Sequence, residues 1–235
     1  MSVSENYLKI PIGGFLKQSL IDYPGNVSAI IFTCGCNFRC RYCHNPELVY
    51  PEQISETKKI NNSEIIEWIR KNRKLLDALV ITGGEPTLHS SLPDFIKIFK
   101  TFGLKVKLDT NGTNPDMLEK LIKYKAIDYV AMDIKAPLLA EKYKNVTGES
   151  FNEALMNKVI RSVNVLNRNH VPFEFRTTLD ESLGMDDILS IINSISGNYY
   201  IQELRKNGTV IIQNLNISEL KKLNPERKDL NVHFR

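Results

Sequence analysis

Short apolar runs rich in β-branched residues alternate along the chain with longer amphipathic stretches. The apolar runs predict six strands, at residues 27–33, 78–82, 105–109, 129–134, 173–178 and 199–204. The amphipathic stretches predict helices near residues 63–71, 92–102, 115–124, 152–169, 185–196 and 217–223. Ser63 and Asn152 are predicted as helix N-caps, and Pro115 suits the first turn of a helix. This repeated order of strand and helix predicts a parallel sheet.

Polar or glycine-rich segments follow one predicted strand after another. They lie at residues 36–43, 83–86, 109–112, 133–135 and 176–178. An open doubly wound sheet concentrates its chemistry at one crevice, whereas the strands of a barrel all deliver residues to one rim. The pattern therefore predicts an α/β fold with a parallel sheet, a partial (β/α)6 TIM-like barrel, preceded by a short N-terminal β-like extension over residues 8–24.

The length and composition favour one globular domain. At 235 residues we expect a single core, with a lead-in over residues 1–26, the partial barrel over 27–204 and a C-terminal segment over 205–235. No apolar run approaches the roughly 18 residues of a membrane span, and the net charge of +4 comes from dispersed Lys and Arg, so neither a membrane nor a nucleic acid is expected as a partner. Reduced cysteines and the missing signal sequence predict the cytoplasm.

All four cysteines lie within residues 34–43, and Cys36, Cys40 and Cys43 have the spacing C-x3-C-x2-C. So short a span could hardly form two disulfides. Zinc is an alternative, with Cys34 or His44 as a fourth ligand, although no second cysteine knuckle is present. An iron–sulfur cubane normally takes four thiolates, so three of them leave one iron open to a small molecule. Cys34 is interpreted as a small residue at the end of a strand.

The segment GCNFRCRYCHNPEL, which contains these cysteines, resembles the cluster loop of radical S-adenosylmethionine enzymes. That resemblance implies a [4Fe-4S] cluster whose open iron binds S-adenosylmethionine. It also implies reductive cleavage to a 5'-deoxyadenosyl radical that abstracts hydrogen, with no catalytic residue beyond the cluster and the bound cofactor. By the same resemblance Tyr42 would lie near the adenine, although it could equally be an ordinary loop aromatic.

Gly83 and Gly84 would let the backbone turn sharply and approach a ligand closely, with Pro86 holding Glu85 extended. A plain turn between strand and helix is the alternative. The segment lacks the Lys-Ser/Thr ending of a phosphate-binding P-loop. It resembles the second signature of the radical family, which contacts the methionine amino group.

Asp109, Asp133 and Lys135 are charged residues at the ends of apolar strands, where they need partners. A salt bridge among themselves is the alternative to ligand binding. Similar DTNG and DxK segments in pyruvate formate-lyase activating enzymes imply that they hold the methionine carboxylate together with a monovalent cation, and that Thr110 joins the site. Arg176 could meet the same carboxylate or the ribose, or lie at the rim. No catalytic role is expected for His89, His170 or His233.

The absence of further cysteines excludes auxiliary clusters, and a short open barrel suggests that another protein completes the site. The segments CHNPEL and SLIDYPG resemble those of activating enzymes of glycyl radical enzymes. The resemblance implies hydrogen abstraction from one glycine of a partner, with anaerobic ribonucleoside-triphosphate reductase implied most closely and a flavodoxin- or ferredoxin-type protein as electron donor. Two alternatives remain, a small-molecule radical enzyme such as 7-carboxy-7-deazaguanine synthase and a zinc-binding, non-catalytic module.

Overall fold

A computed structural model describes residues 10–206, 209–210, 215 and 229–235. The described strands are β1 (Ile12–Ser19), β2 (Ser28–Thr33), β3 (Ala78–Gly83), β4 (Lys105–Thr110), β5 (Tyr129–Asp133), β6 (Phe173–Thr178), β7 (Gly197–Gln202), β8 (Arg205–Lys206), β9 (Thr209–Val210) and β10 (Leu230–Phe234). The described helices are α1 (Pro51–Glu56), α2 (Asn62–Asn72), α3 (Leu92–Thr101), α4 (Pro115–Lys123), α5 (Ala140–Thr147), α6 (Glu153–Arg168) and α7 (Met185–Ser194).

Eight of these strands form one sheet in the order β1-β2-β3-β4-β5-β6-β7-β10, while β8 and β9 pair separately. β1 runs antiparallel to β2, with Phe15 opposite Ile31. The pairs β2–β3, β3–β4, β6–β7 and β7–β10 are parallel. The sheet is therefore mostly parallel and not closed, which confirms the predicted α/β class and its incomplete barrel. The six predicted strands correspond to β2–β7, and the predicted β-like extension contains β1.

The predicted helices that fall on described residues are all present, as α2, α3, α4, α6 and α7. Asn152 is the N-cap of α6, as predicted, and its side chain accepts from the Leu155 N–H at 3.0 Å. The prediction of Ser63 as an N-cap is wrong, because the cap of α2 is Asn61, whose side chain accepts from the Ser63 N–H at 2.9 Å. The helix predicted near residues 217–223 lies outside the described residues.

The chain divides into two compact units, one of residues 1–37, 45–110 and 116–130 and a second of residues 38–44, 111–115 and 131–235. In the first unit the central strand β3 buries Leu79, Val80 and Ile81 almost completely, as expected for a parallel strand covered on both faces. Phe95 and Phe99 of α3 are fully buried as well, with their ring centroids 5.0 Å apart. The single domain over residues 1–235 stays a prediction.

In the second unit the last strand, β10, is fastened to the sheet by its side chains as well as its backbone. The Arg235 guanidinium lies 3.3 and 3.2 Å from the two carboxylate oxygens of the fully buried Glu174 on β6. It also lies 3.6 Å from the ring centroid of Tyr200 on β7. These contacts, which join positions far apart in sequence, fix a strand that the sequence pattern did not predict.

Across the described residues, none of the helices combines the length and the apolar character that a membrane crossing requires.

Candidate functional site

The cysteine segment follows the end of β2, and none of its four cysteines is in a disulfide. Cys34 alone is buried, against a β1 glycine: a Cβ atom added at Gly13 would lie 2.8 Å from its Sγ. Cys36, Cys40 and Cys43 are partly exposed, and the Cys43 N–H donates to the Cys40 carbonyl at 3.1 Å, which closes a tight turn. The surroundings of Cys34 therefore differ from those of the three cysteines in the C-x3-C-x2-C pattern.

Two of the thiols have a raised pKa. Burial raises the pKa of Cys34, and the positive charge of Lys59 opposes this. Burial also raises the pKa of Cys40, with Lys135 opposing. A thiol must lose its proton before it can ligate a metal, so the charge of Lys135 favours the ligating form of Cys40.

The described residues contain no group of three or more His, Cys, Asp or Glu side chains placed to hold a metal ion. A zinc site needs its ligands around one ion, at about 2.0–2.3 Å, whereas a cubane cluster binds each cysteine through a different iron. The donors fit an iron–sulfur cluster in kind, since Cys36, Cys40 and Cys43 are partly exposed thiols, outside any disulfide, on one short segment. Their assignment as ligands stays a prediction.

In the first unit the Gly83-Gly84 pair allows a close approach of two loops. Gly83 has a φ of +106°, and a Cβ atom there would lie 2.5 Å from the Thr33 backbone nitrogen. At Gly84 a Cβ atom would lie 2.1 Å from the Gly35 carbonyl oxygen. Only glycine fits both positions, and the Glu85 N–H donates to the same Gly35 carbonyl at 2.7 Å. The glycines therefore bring their own loop against the cysteine segment.

Glu85 is completely buried, so its carboxylate organises this loop from within. It accepts from the Thr87 N–H at 3.0 Å and caps a 3-10 turn at Pro86–Leu88. It also accepts from the Thr110 hydroxyl at 2.8 Å. The structure thus joins two predicted site residues, Glu85 and Thr110, by a direct hydrogen bond inside the loop.

Asp109 ends β4 beside a buried lysine that the sequence reasoning missed. The Lys107 Nζ lies 2.9 Å from the Asp109 Oδ1, and the Lys107 side chain is 3% exposed. The same Nζ donates to the Asp22 carbonyl at 2.7 Å. The sequence indicates this pair, because Lys107 lies two residues before Asp109 and therefore on the same face of the strand.

In the second unit Asp133, Lys135 and Arg176, all predicted site residues, form one charged cluster. The Lys135 Nζ lies 2.8 Å from the Asp133 Oδ2, and the Arg176 Nε lies 2.9 Å from its Oδ1. Burial opposes ionisation of Asp133, but the two cations outweigh it and lower its pKa from 3.8 to about 2. Burial lowers the pKa of Lys135, but Asp133 raises it well above its usual value. One carboxylate thus pairs with two cationic side chains.

Tyr42 lies next to this cluster, with the Lys135 Nζ 5.8 Å from its ring centroid. Its buried hydroxyl has no hydrogen-bond partner within the part of the chain that the structure describes. Burial raises the Tyr42 pKa far above its usual range, so the hydroxyl stays protonated. An unpartnered buried hydroxyl calls for an explanation, and a bound polar ligand would supply one.

A second anchor of the cysteine segment, Asp180, was also missed in the sequence. The Arg41 guanidinium lies 2.6 Å from the Asp180 Oδ1, and the Asp180 side chain is only 6% exposed. Asp180 also accepts from the Ser182 N–H at 3.0 Å. Asp180 could have been recognised in the sequence because it lies two residues after β6, and polar residues also follow the other strands. Arg41 lies between Cys40 and Tyr42, so this ion pair fixes the cysteine segment at that point.

The three histidines that are expected to have no catalytic role include two with evident packing partners. The His89 Nε2 lies 3.0 Å from the Cys34 carbonyl oxygen, and burial lowers the pKa of His89. His233 stacks on Tyr200, with a centroid separation of 4.5 Å. Both contacts are structural in kind.

The chain resembles known proteins along most of its length. The family model described as the radical SAM superfamily matches residues 30–195. A protein of Methanocaldococcus jannaschii named as a glycyl-radical enzyme activating enzyme is 37% identical over 192 residues, which cover 80% of this chain and 76% of that protein. The pyruvate formate-lyase-activating enzyme of Clostridium pasteurianum is 29% identical over 138 residues, 57% of this chain and 55% of that enzyme.

Among solved structures, Streptococcus suis SuiB bound to S-adenosylmethionine matches with a TM-score of 0.61 at 15% identity, over 88% of this chain and 51% of that one. The chain therefore spans about half the length of that structure, and the likeness concerns the fold. The family match covers more than half of the chain, and the archaeal relative covers four-fifths of it. The chain thus belongs to the radical SAM superfamily and, within it, to the glycyl-radical enzyme activating enzymes.

Proposed function

We propose that this protein cleaves S-adenosylmethionine reductively and generates a glycyl radical on a partner enzyme, and that the partner is anaerobic ribonucleoside-triphosphate reductase. The observation that carries the proposal is the position of Lys135. Its positive charge opposes the rise that burial causes in the Cys40 pKa, its Nζ lies 5.8 Å from the Tyr42 ring centroid, and it pairs with Asp133. Membership of the radical SAM superfamily implies a [4Fe-4S] cluster and S-adenosylmethionine.

Cys36, Cys40 and Cys43 would hold the cluster, because they are partly exposed and in no disulfide. Three thiolates leave one iron without a protein ligand, so a small molecule can bind there. Cys34 would not take part, since it is buried beside β1. When bound, the reduced cluster and S-adenosylmethionine supply a 5'-deoxyadenosyl radical that removes one hydrogen atom.

The second unit offers groups that suit the charged and aromatic parts of S-adenosylmethionine. Lys135 and Arg176, which both pair with Asp133, are cationic groups of the kind that bind a carboxylate, and we propose that they hold the methionine carboxylate. The Tyr42 ring would face the adenine, and its unpartnered hydroxyl would gain a polar contact there. These side chains would bind and orient the cofactor without a proton transfer of their own.

In the first unit the backbone at Gly83 and Gly84 would take the methionine amino group, with Glu85 and Thr110 fixing the loop from inside. Asp109 would complete the charged surroundings of the cofactor. We also propose that the acidic residues hold a monovalent cation, which would share the Asp109 and Asp133 carboxylates with the lysines that pair with them.

The partner and the electron donor follow from the family and not from a described surface. A relative that is 37% identical bears the name of a glycyl-radical enzyme activating enzyme. We therefore propose a glycine of the reductase as the hydrogen donor, and a flavodoxin- or ferredoxin-type protein as the source of the electron.

The test is to reconstitute the protein anaerobically, reduce it, add S-adenosylmethionine and a candidate reductase, and record the electron paramagnetic resonance spectrum. The expected result is a glycyl radical doublet that is absent with Cys40→Ser and present with Cys34→Ser. Cofactor cleavage without a doublet would reject this partner. Turnover of a pterin-like small molecule would then favour 7-carboxy-7-deazaguanine synthase-type chemistry, and colourless protein with stoichiometric zinc would reject the enzyme altogether.

A further inference from the structure

Helix α5 contacts two segments that the proposed function needs. At its C-terminal end the Thr147 carbonyl accepts from the Arg39 N–H at 2.7 Å, and the Val146 carbonyl accepts from the Arg41 N–H at 3.4 Å. Arg39 and Arg41 flank Cys40. In the middle of the same helix, the Tyr143 hydroxyl accepts from the Lys135 N–H at 3.1 Å. One short helix is thus bonded both to the cysteine segment and to the end of β5.

Aromatic packing makes this connection stiff. Phe38 of the cysteine segment packs edge-on against Tyr143 and Phe151, with ring centroids 6.5 and 5.6 Å away. The centroids of Tyr143 and Phe151 are 5.0 Å apart. Tyr143 is completely buried and Phe38 and Phe151 are nearly so, which leaves these rings little room to move.

The hydroxyl of Tyr143 is the polar part of this connection. Burial raises its pKa above its usual value, so it is a neutral hydroxyl at physiological pH. The bond that it accepts is to the backbone of Lys135, the residue whose Nζ lies near Tyr42 and pairs with Asp133. The Lys135 backbone therefore takes its position from α5, and the cysteine segment takes its position from the same helix.

We propose that Tyr143 is a positioning residue, which sets the place of Lys135 relative to the cysteine segment so that both can engage one S-adenosylmethionine molecule. The assignment rests on the proposed function for the identity of that ligand. The hydroxyl acts through the Lys135 backbone and does not contact the reacting atoms. Because the hydroxyl bonds to the Lys135 backbone, we expect cluster assembly not to require it.

The variant Tyr143→Phe removes only the hydroxyl, and Tyr124→Phe is the matched control because Tyr124 is 67% exposed. Both proteins are reconstituted to the holo form. For Tyr143→Phe we expect unchanged iron and sulfide, an affinity for S-adenosylmethionine reduced by about fivefold or more, as for the loss of one hydrogen bond, and faster amide exchange in the peptide that contains Lys135. For Tyr124→Phe we expect no change in any of the three.

The affinity is read from the change that added S-adenosylmethionine causes in the spectrum of the reduced cluster, and amide exchange is read by mass spectrometry. Wild-type affinity and wild-type amide exchange in Tyr143→Phe would overturn the assignment. Loss of the cluster in this variant would also overturn it, because the hydroxyl would then be needed to hold the cysteine thiols in place. A wild-type protein that assembles no cluster would instead overturn the proposed function, and the positioning role would fall with it.

Discussion

The Nε of Arg176 on β6 lies 2.9 Å from the Oδ1 of Asp133 at the end of the neighbouring strand β5. The second oxygen of the same carboxylate pairs with Lys135 at 2.8 Å. One carboxylate therefore binds two cationic side chains. The mutual salt bridge, which the sequence leaves open as the alternative to ligand binding, is present in the structure.

Replacing Arg176 with methionine tests whether its guanidinium binds the methionine carboxylate. Met keeps much of the apolar length of the side chain and removes the guanidinium. We expect the Kd for S-adenosylmethionine to rise at least about tenfold, since a hydrogen bond to a charged group is worth about 1.5–3 kcal/mol. Calorimetric titration of the reconstituted protein measures it. Arg70→Met is the control, because Arg70 pairs with Glu67 on an exposed helix face and should leave the Kd unchanged. A wild-type Kd for S-adenosylmethionine in Arg176→Met would mean that the methionine carboxylate binds elsewhere.

The lowered pKa of Asp133 predicts a dependence of stability on pH. The pKa of Asp133 is about 2 in the folded protein against its ordinary value of 3.8, so the unfolded chain binds more protons at pH values between the two. Asp133 therefore contributes stability above about pH 4, on the order of 2 kcal/mol, and that contribution is lost as the pH falls towards 2.

Urea unfolding of the apoprotein and of Asp133→Asn, near neutral pH and at about pH 3, measures this contribution. The free energy of unfolding of the two proteins should differ more near neutrality than at the acidic pH. A difference that is constant with pH would mean that Asp133 is not the group that titrates.

The cysteines should divide into two classes on substitution. Cys36→Ser, Cys40→Ser and Cys43→Ser should each lose most of the iron, sulfide and brown colour of reconstituted protein, which should hold about four irons per chain. Cys34→Ser should retain them, because Cys34 is buried beside β1. Iron and sulfide assays measure this. Loss of the cluster in Cys34→Ser, together with its retention in one of the other three variants, would reverse the assignment.

The hydrogen bond between Thr110 and Glu85 should contribute to stability as well as to the loop. Thr110→Val keeps the shape of the side chain and removes one donor to a completely buried carboxylate. We expect the free energy of unfolding to fall by about 1–3 kcal/mol. Urea denaturation of the apoprotein measures the change. Thr101→Val is the control, since Thr101 is exposed and its hydroxyl donates to the Ile98 carbonyl of the same helix at 2.5 Å, so its effect should be small. Similar losses in both variants would contradict a special role for Thr110.

The sequence determined the strands and most helices because their signals are local. Apolar runs of five or six residues and amphipathic repeats fall within a short window, and β2–β7 appear within two residues of their predicted bounds. Helix α5 was not predicted, because the chain AEKYKNVT is mostly polar and buries only Tyr143, Val146 and Thr147. Strand β10 was not predicted either, since it lies in a segment whose pairing partner, β7, is about thirty residues earlier.

The sequence also determined which residue types belong to the site, because the cysteine spacing and the polar residues after each strand are visible in the chain itself. Only the tertiary structure decided their partners. Arg41 meets Asp180 across 139 positions, Arg176 meets Asp133 across 43, and Lys107 reaches the Asp22 carbonyl across 85. Such pairings depend on which strands become neighbours and on which charges are buried together, and no local pattern encodes either. A buried charge needs a partner, so the charged residues near the strand ends pair with one another.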